Sequence, residues 1–182
     1  MIRYAINDSP FGRLLVGATE QGICAVSLGD NDESLVEFLQ TEFLEAELKL
    51  DQTGLKETVG VIVNYLSGRQ PHLDLPVDIR TTAFRLKVYE ALKAIPYGKT
   101  RSYEEIAQTV GSPKAVRAVG SACANNPVAL VIPCHRVVRK DRKLGGYRWG
   151  LERKEKLLEM ERENEFCRSE VDRGTPVGKE EW

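Results

Sequence analysis

The chain has 182 residues, 42% hydrophobic and 29% charged, enough for one good core and ordinary for a globular protein. Four cysteines with no C-x-x-C pair, and only two histidines, exclude a secreted disulfide scaffold and argue against structural zinc. The net charge of −1 conceals a basic middle: residues 1–78 carry −8, residues 79–156 carry +11 and residues 157–182 carry −4, so a polyanion partner is expected at the centre.

The first third reads as β structure with flanking helices. Short strands are expected over Arg3–Ile6, Leu14–Ala18 and Ile23–Leu28, with turns at Asp8–Gly12 and Glu20–Gly22 between them. Asn31 or Asp32 can cap a helix reaching about Phe43, with Leu35, Phe38 and Leu39 inward. Leu55–Leu66 is a second helix, with Leu55, Val59, Ile62, Val63 and Leu66 on one face. Pro71–Pro76 is extended, and Val77–Arg80 reads as a linker. Cys24 lies in a strand-like run and is expected in the core.

From Thr82 the pattern turns helical. Phe84, Val88, Ala91, Leu92 and Ile95 form one apolar stripe, closed by Pro96–Tyr97–Gly98. Ser102–Tyr103–Glu104–Glu105 is a capping box that starts another helix. Gly111 permits a left-handed turn, after which Ser112 caps and Pro113 opens a third helix running to about Cys123. Two short helices joined by a glycine turn make a helix-turn-helix. Ala115, Ala118 and Ala122 give the third helix a bare face, which suits either tight helix packing or entry into a DNA groove. Lys114 and Arg117 beside it favour DNA, since they can neutralise phosphates.

The densest chemistry lies in Val131–Ile132–Pro133–Cys134–His135–Arg136–Val137–Val138. The β-branched run reads as a buried strand entering a turn, stiffened by Pro133. A thiol held there is nucleophilic as its thiolate, with an imidazole to take the proton and a cation or helix N-terminus to stabilise the anion. A last helix starts at Leu151 with Leu157, Leu158 and Met160 inward. The polar stretch at 166–182, which includes Cys167, is expected to be a mobile tail. No signal-peptide pattern and no membrane-length apolar run is present, so the expected location is the cytoplasm.

Pro133–Cys134–His135–Arg136–Val137 resembles the active-site motif of the O6-alkylguanine-DNA alkyltransferases, DNA repair proteins that move an alkyl group from guanine to their own cysteine. The resemblance extends from about Arg3 to about Glu165, through Pro113–Val119 and Gly146–Tyr147–Arg148–Trp149–Gly150 in the right order. It implies an α+β fold: a small N-terminal sheet with helices over residues 1–78, then a mainly helical DNA-binding and catalytic part over 79–165.

The resemblance also implies roles. Cys134 is the acceptor, His135 its base through a water, and Glu161 the carboxylate that orients the imidazole. Asn126 ties the helix-turn-helix to the active-site segment. Tyr103 crowds the target's 3′ phosphate and donates a proton to the guanine. Arg117 fills the space left by the extruded base, because O6 cannot reach a buried thiol while the base stays stacked. Ser112, Lys114, Ala115, Ala118 and Lys140 are implied at the DNA, in the minor groove. Val137, Tyr147, Arg148 and Cys123 are implied around the alkylguanine.

The implied partner is duplex DNA carrying alkylated guanine. No metal, no organic cofactor and no membrane is expected, and the chain is expected to be a monomer. Two features depart from the family: Glu104 stands where relatives often have a neutral phosphate-contacting residue, and Cys123 where some have a larger apolar one. The competing readings are a non-repairing alkylated-DNA-binding protein, a transcription regulator, and a thiol hydrolase acting on small molecules. Lesion-dependent alkyl transfer, without turnover, separates the first reading from all three.

Overall fold

A computed structural model describes residues 1–172. Strands β1 (Ile2–Ser9), β2 (Gly12–Ala18) and β3 (Ile23–Gly29) form an antiparallel meander. The hairpin between β1 and β2 closes at Ser9 and Gly12. Gly12 adopts φ +102°, and a Cβ there would sit 2.7 Å from the Gly29 carbonyl oxygen, so only glycine fits.

Both faces of the sheet are covered. Leu14 and Val16 point into the main core with α2 (Lys56–Leu66), while Leu15 and Ala25 point to the other side, against Leu35 and Leu39 of α1 (Asp32–Glu42). The alternation is that of strands whose successive side chains face opposite ways. Asn31 caps α1 by accepting from the Ser34 amide at 2.9 Å.

Several elements differ from the sequence expectation. A short strand, β4 (Leu48–Leu50), joins the sheet edge parallel to β1, giving the order β3-β2-β1-β4. Phe38 is only half-buried, and in α2 it is Tyr65, not Val63, that is buried. The Val77–Arg80 segment is pinned to the sheet: Val77 bridges Ile23, and Thr19 Oγ1 donates to Asp78 at 2.6 Å.

Thr82 caps α3 (Ala83–Lys93), and Ser102 caps α4 (Tyr103–Thr109) through a complete capping box with Glu105. The third helix of this half, α5 (Val116–Ala124), begins later than expected. Ser112 does not cap it; its carbonyl accepts from the Ala115 amide at 2.9 Å, so Pro113 and Lys114 form a turn. Gly111, at φ +78°, makes the bend between α4 and α5.

The Val131–Ile132 run is not a strand. It is a series of tight turns in which the amides of Val131, Ile132 and Cys134 bond to Ala129, Val128 and Ile132. Burial, not strand pairing, selects its apolar residues, and Leu130 takes φ +71° within it. A single bridge, Val26 to Val128, docks it on β3. Cys134–Arg136 then forms a 3-10 turn, and β6 (Val137–Val138) pairs in parallel with β5 (Arg101–Ser102). That pairing sets the first residue of α4, Tyr103, beside the active-site segment.

The last helix, α6, spans Leu151–Asp172. It runs past the expected start of the tail at 166, because no glycine or proline interrupts the chain before Gly174. The remainder of that expected tail, 173–182, lies outside the described residues, as does the side chain of Cys167. Among the described residues no helix is long and apolar enough to cross a membrane.

Candidate active site

Cys134 opens the 3-10 turn and is buried. Asn126, with no exposed surface, donates from Nδ2 to the Ile132 carbonyl at 3.0 Å and to Cys134 Sγ at 3.3 Å. Its Oδ1 accepts from the Val128 amide at 3.0 Å. One side chain thus ties the loop after α5 to the turn that presents the thiol. Burial pushes the Cys134 thiol up, while the Asn126 bond, the Lys154 charge and Arg148 pull the other way.

His135 and Glu161 are both completely buried and meet at 2.8 Å, Nε2 to Oε1. Arg136 donates to the same carboxylate from Nε and Nη2 at 2.9 Å, and from Nη1 to the Ile95 carbonyl at 2.7 Å. The Gly98 amide adds a bond at 3.2 Å, and the Tyr65 hydroxyl also donates to Glu161. Burial alone would raise the Glu161 carboxyl, but His135 and Arg136 outweigh it and hold the group well below the usual carboxylate range. Burial lowers His135, against the pull of Glu161. With Nε2 engaged, Nδ1 is the nitrogen left buried without a partner among the described residues.

The cation at the thiol is not the one that the motif offers. Arg136 is committed to Glu161; Lys154, from the first turns of α6, lies fully buried near Cys134 instead. Its Nζ donates to the Val137 carbonyl at 2.6 Å and the Gly146 carbonyl at 3.1 Å. Burial lowers its pKa to about 8, opposed by Cys134 and Cys123. Sequence reasoning missed Lys154 and Tyr65. The signal was periodic: Lys154, Leu157, Leu158 and Glu161 share one face of α6, so two charged residues bracket an apolar stripe.

Cys134 lines a cavity of about 390 Å³ with Tyr103, Gly120, Cys123, Ala124, Gly146, Tyr147 and Arg148. Gly120, Cys123 and Ala124 are one face of α5. Tyr147 packs edge-on against Trp149 at 5.2 Å, and its hydroxyl is buried without a partner among the described residues. Burial pushes the Tyr103 phenol up to about 12, so it keeps its hydrogen. Val137 is fully buried and does not line this cavity; its carbonyl accepts from Lys154. The Arg148 side chain turns outward onto α1, where it meets Glu42 at 2.8 Å and lies 4.4 Å from the Phe38 ring centroid.

The expected bare alanine face is divided. Ala118 is exposed and Ala115 half-buried before the helix, but Ala122 is fully buried and its carbonyl accepts from the Tyr89 hydroxyl at 3.0 Å. Lys114, Arg117 and Lys140 are exposed, Ser112 is half-buried, and none of the three cations has an ion-pair partner among the described residues. Glu104 lies in a groove with Tyr103, Val116 and Lys140, its Oε2 buried without a partner among the described residues. Among the described residues no group of three or more His, Cys, Asp or Glu is placed to hold a metal ion.

Two family models match the chain. One, described as 6-O-methylguanine DNA methyltransferase, ribonuclease-like domain, covers residues 2–79; the other, the DNA binding domain of the same description, covers residues 83–163. The bifunctional transcriptional activator/DNA repair enzyme Ada of Escherichia coli is 49% identical over 90% of this chain, which spans only 46% of that protein. The methylated-DNA–protein-cysteine methyltransferase of Mycolicibacterium paratuberculosis is 40% identical over 89% of this chain and 93% of its own. The crystal structure of Mycobacterium tuberculosis OGT in complex with DNA superposes with a TM-score of 0.77, at 35% identity, over 89% of this chain and 94% of that one.

Proposed function

Since the chain belongs to the methylated-DNA–protein-cysteine methyltransferase family, we propose that it repairs O6-alkylguanine in duplex DNA by moving the alkyl group irreversibly to Cys134. The observation that carries this reading is the position of Cys134: a buried thiol lining a cavity walled by α5 and held by Asn126. The retained nucleophile disfavours a damage sensor that does not repair.

The thiol proton passes to His135, whose charged form Glu161 stabilises, and Lys154 steadies the thiolate. Sulfur attacks the alkyl carbon in line. The S–C bond forms, the C–O6 bond breaks, and its electron pair goes to the guanine, which takes a proton from Tyr103; solvent returns a proton to the phenol and His135 releases the thiol's proton to solvent, so the protons balance. Proximity in the cavity supplies much of the rate. The thioether has no neighbour able to hydrolyse it, so each molecule acts once.

Arg117, Lys114, Lys140, Ser112, Ala115 and Ala118 meet the minor groove, with Arg117 replacing the flipped nucleotide. Val137, Tyr147, Arg148 and Cys123 surround the base. The N-terminal part, 1–78, and the catalytic part, 79–165, act as one monomer in the cytoplasm, with no metal or cofactor. Loss of O6-methylguanine from a duplex, saturating at one lesion per protein and absent in Cys134→Ser, is the expected result; multiple turnovers would refute it.

A further inference from the structure

The N-terminal half has no assigned part in the chemistry, yet one of its side chains reaches the buried network. Tyr65, near the end of α2, is 1% exposed. Its hydroxyl donates to Glu161 Oε1 and lies 3.4 Å from His135 Nε2. Its ring meets Tyr97 edge-on at 6.0 Å. Among the described residues Arg136 Nε and Nη2 and the Gly98 amide donate to Glu161 as well, and His135 Nε2 faces it at 2.8 Å. A carboxyl with so many donors is ionised and has no hydrogen to give, so the ring nitrogen that faces it must be the donor. That arrangement fixes the His135 proton on Nε2 and leaves the lone pair on Nδ1.

We infer that Tyr65 is a positioning residue for alkyl transfer: its hydroxyl, delivered from the N-terminal half, shares the charge of Glu161 and so sets how readily His135 takes the proton of Cys134. The inference rests on Cys134 being the alkyl acceptor. In this step the hydrogen leaves Sγ and reaches Nδ1 through a bridging water, and its bonding electrons stay on sulfur. The Nε2 hydrogen stays on the ring, bonded to Glu161, and Tyr65 keeps its own.

The charged and titratable groups facing His135 are few. Glu161 and Lys154 come from α6, Arg136 follows in the chain, and Tyr65 comes from α2, with Tyr97 packed on Tyr65 and near Arg136. Arg136 and Lys154 disfavour an imidazolium and Glu161 favours it. Tyr65, whose own pKa burial and Glu161 drive well above the ordinary tyrosine value, stays a neutral donor throughout. Removing that donor concentrates the Glu161 charge on its remaining partners and makes His135 easier to protonate.

Tyr65→Phe keeps the ring and its contact with Tyr97. The chain has only two histidines, and His72 is exposed, so 15N-histidine labelling reads His135 without DNA, with His72→Gln giving the assignment. The expected result is an Nε2-protonated neutral ring in wild type and a titration moved up by about half to one pH unit in Tyr65→Phe. Fluorotyrosine at position 65, a stronger donor, moves it down, which keeps the test open should the phenylalanine variant fail to fold. In single-turnover transfer from an O6-methylguanine duplex, the acid limb moves up with the histidine. Below that limb the variant falls about three- to tenfold behind wild type, and the gap closes at alkaline pH.

A His135 titration that stays put in the folded variants overturns the inference. So does a slowing that is equal at every pH, which would mark packing alone. If wild type transfers no methyl while the His135 titration still moves, the hold of Tyr65 on His135 stands and the alkyltransferase reading fails.

Discussion

Glu42 in α1 and Arg148 at the cavity wall form an ion pair at 2.8 Å although 106 residues separate them. Both side chains are about a quarter exposed, at 28% and 26%, and Phe38 lies under the guanidinium. The pair therefore contributes little to stability, roughly 1 kcal/mol or less. Its larger effect is to keep a pocket residue fixed. Glu42→Gln is expected to lower Tm by only a few degrees while raising the ratio of benzyl to methyl transfer several-fold, because the freed wall yields to a larger group. An unchanged ratio would show that α1 does not hold the pocket's shape.

Asn126 has three buried hydrogen bonds and no surface. Asn126→Ala strands the Val128 amide, leaves the Ile132 carbonyl with the Cys134 amide as its remaining donor, and removes the donor at Cys134. A loss of about 2–4 kcal/mol is expected in denaturant unfolding. Methyl transfer should slow even at temperatures where the variant is fully folded.

Lys154 makes a testable alkaline limb. Its pKa of about 8 means that the charge near Cys134 is lost as the pH rises past that value, so transfer should slow there. Lys154→Met should be slower by about tenfold at neutral pH and lack that limb. The stability effect has its own sign. In the unfolded chain the lysine holds its proton to about 10.5, so between about 8 and 10.5 the unfolded state binds more protons and wild-type stability rises with pH. Lys154→Met should lack that rise too.

Acid acts through the buried pair. His135 is lowered by burial, so below its unfolded pKa of 6.5 the unfolded chain binds a proton that the native one resists, and stability falls with falling pH. Glu161 is lowered as well, so its contribution is present above 4.5 and is lost as the pH falls further toward its folded value. Urea midpoints taken from pH 7 downward should decline in both ranges. Glu161→Gln should shrink the lower decline, to which Asp32, Asp51 and Glu105 also contribute.

Glu104 is an acid in a groove beside Lys140, on the side of α4 and α5 assigned to DNA. Glu104→Gln is expected to tighten duplex binding about two- to fivefold at low salt, and Lys140→Ala to reduce the salt slope by about one. Weaker binding by Glu104→Gln would mean that the carboxylate itself contacts DNA.

Much of this site was legible because its chemistry is local. Cys134, His135 and Arg136 are adjacent, and the Ser102–Glu105 capping box places Tyr103 at a helix start. What escaped depends on contacts between distant segments. The three residues of β4 become a strand only by pairing with β1. The Val131–Ile132 run is apolar because it is buried, and burial alone does not distinguish a strand from turns. Arg136 is the nearest cation along the chain, but Glu161 claims it, and the thiol's cation comes from α6. Tyr65 was hidden in an apolar helix face, where its ring reads as core and its hydroxyl gives no sign.

The most direct test of the account is intact-mass spectrometry of the protein mixed with a duplex carrying one O6-methylguanine, followed by peptide mapping. The account predicts a single added methyl group on Cys134, saturating at one per molecule and absent in Cys134→Ala. Tight, lesion-dependent binding with no added mass would contradict it, and the proton-transfer roles of His135, Glu161 and Tyr65 would fall with it.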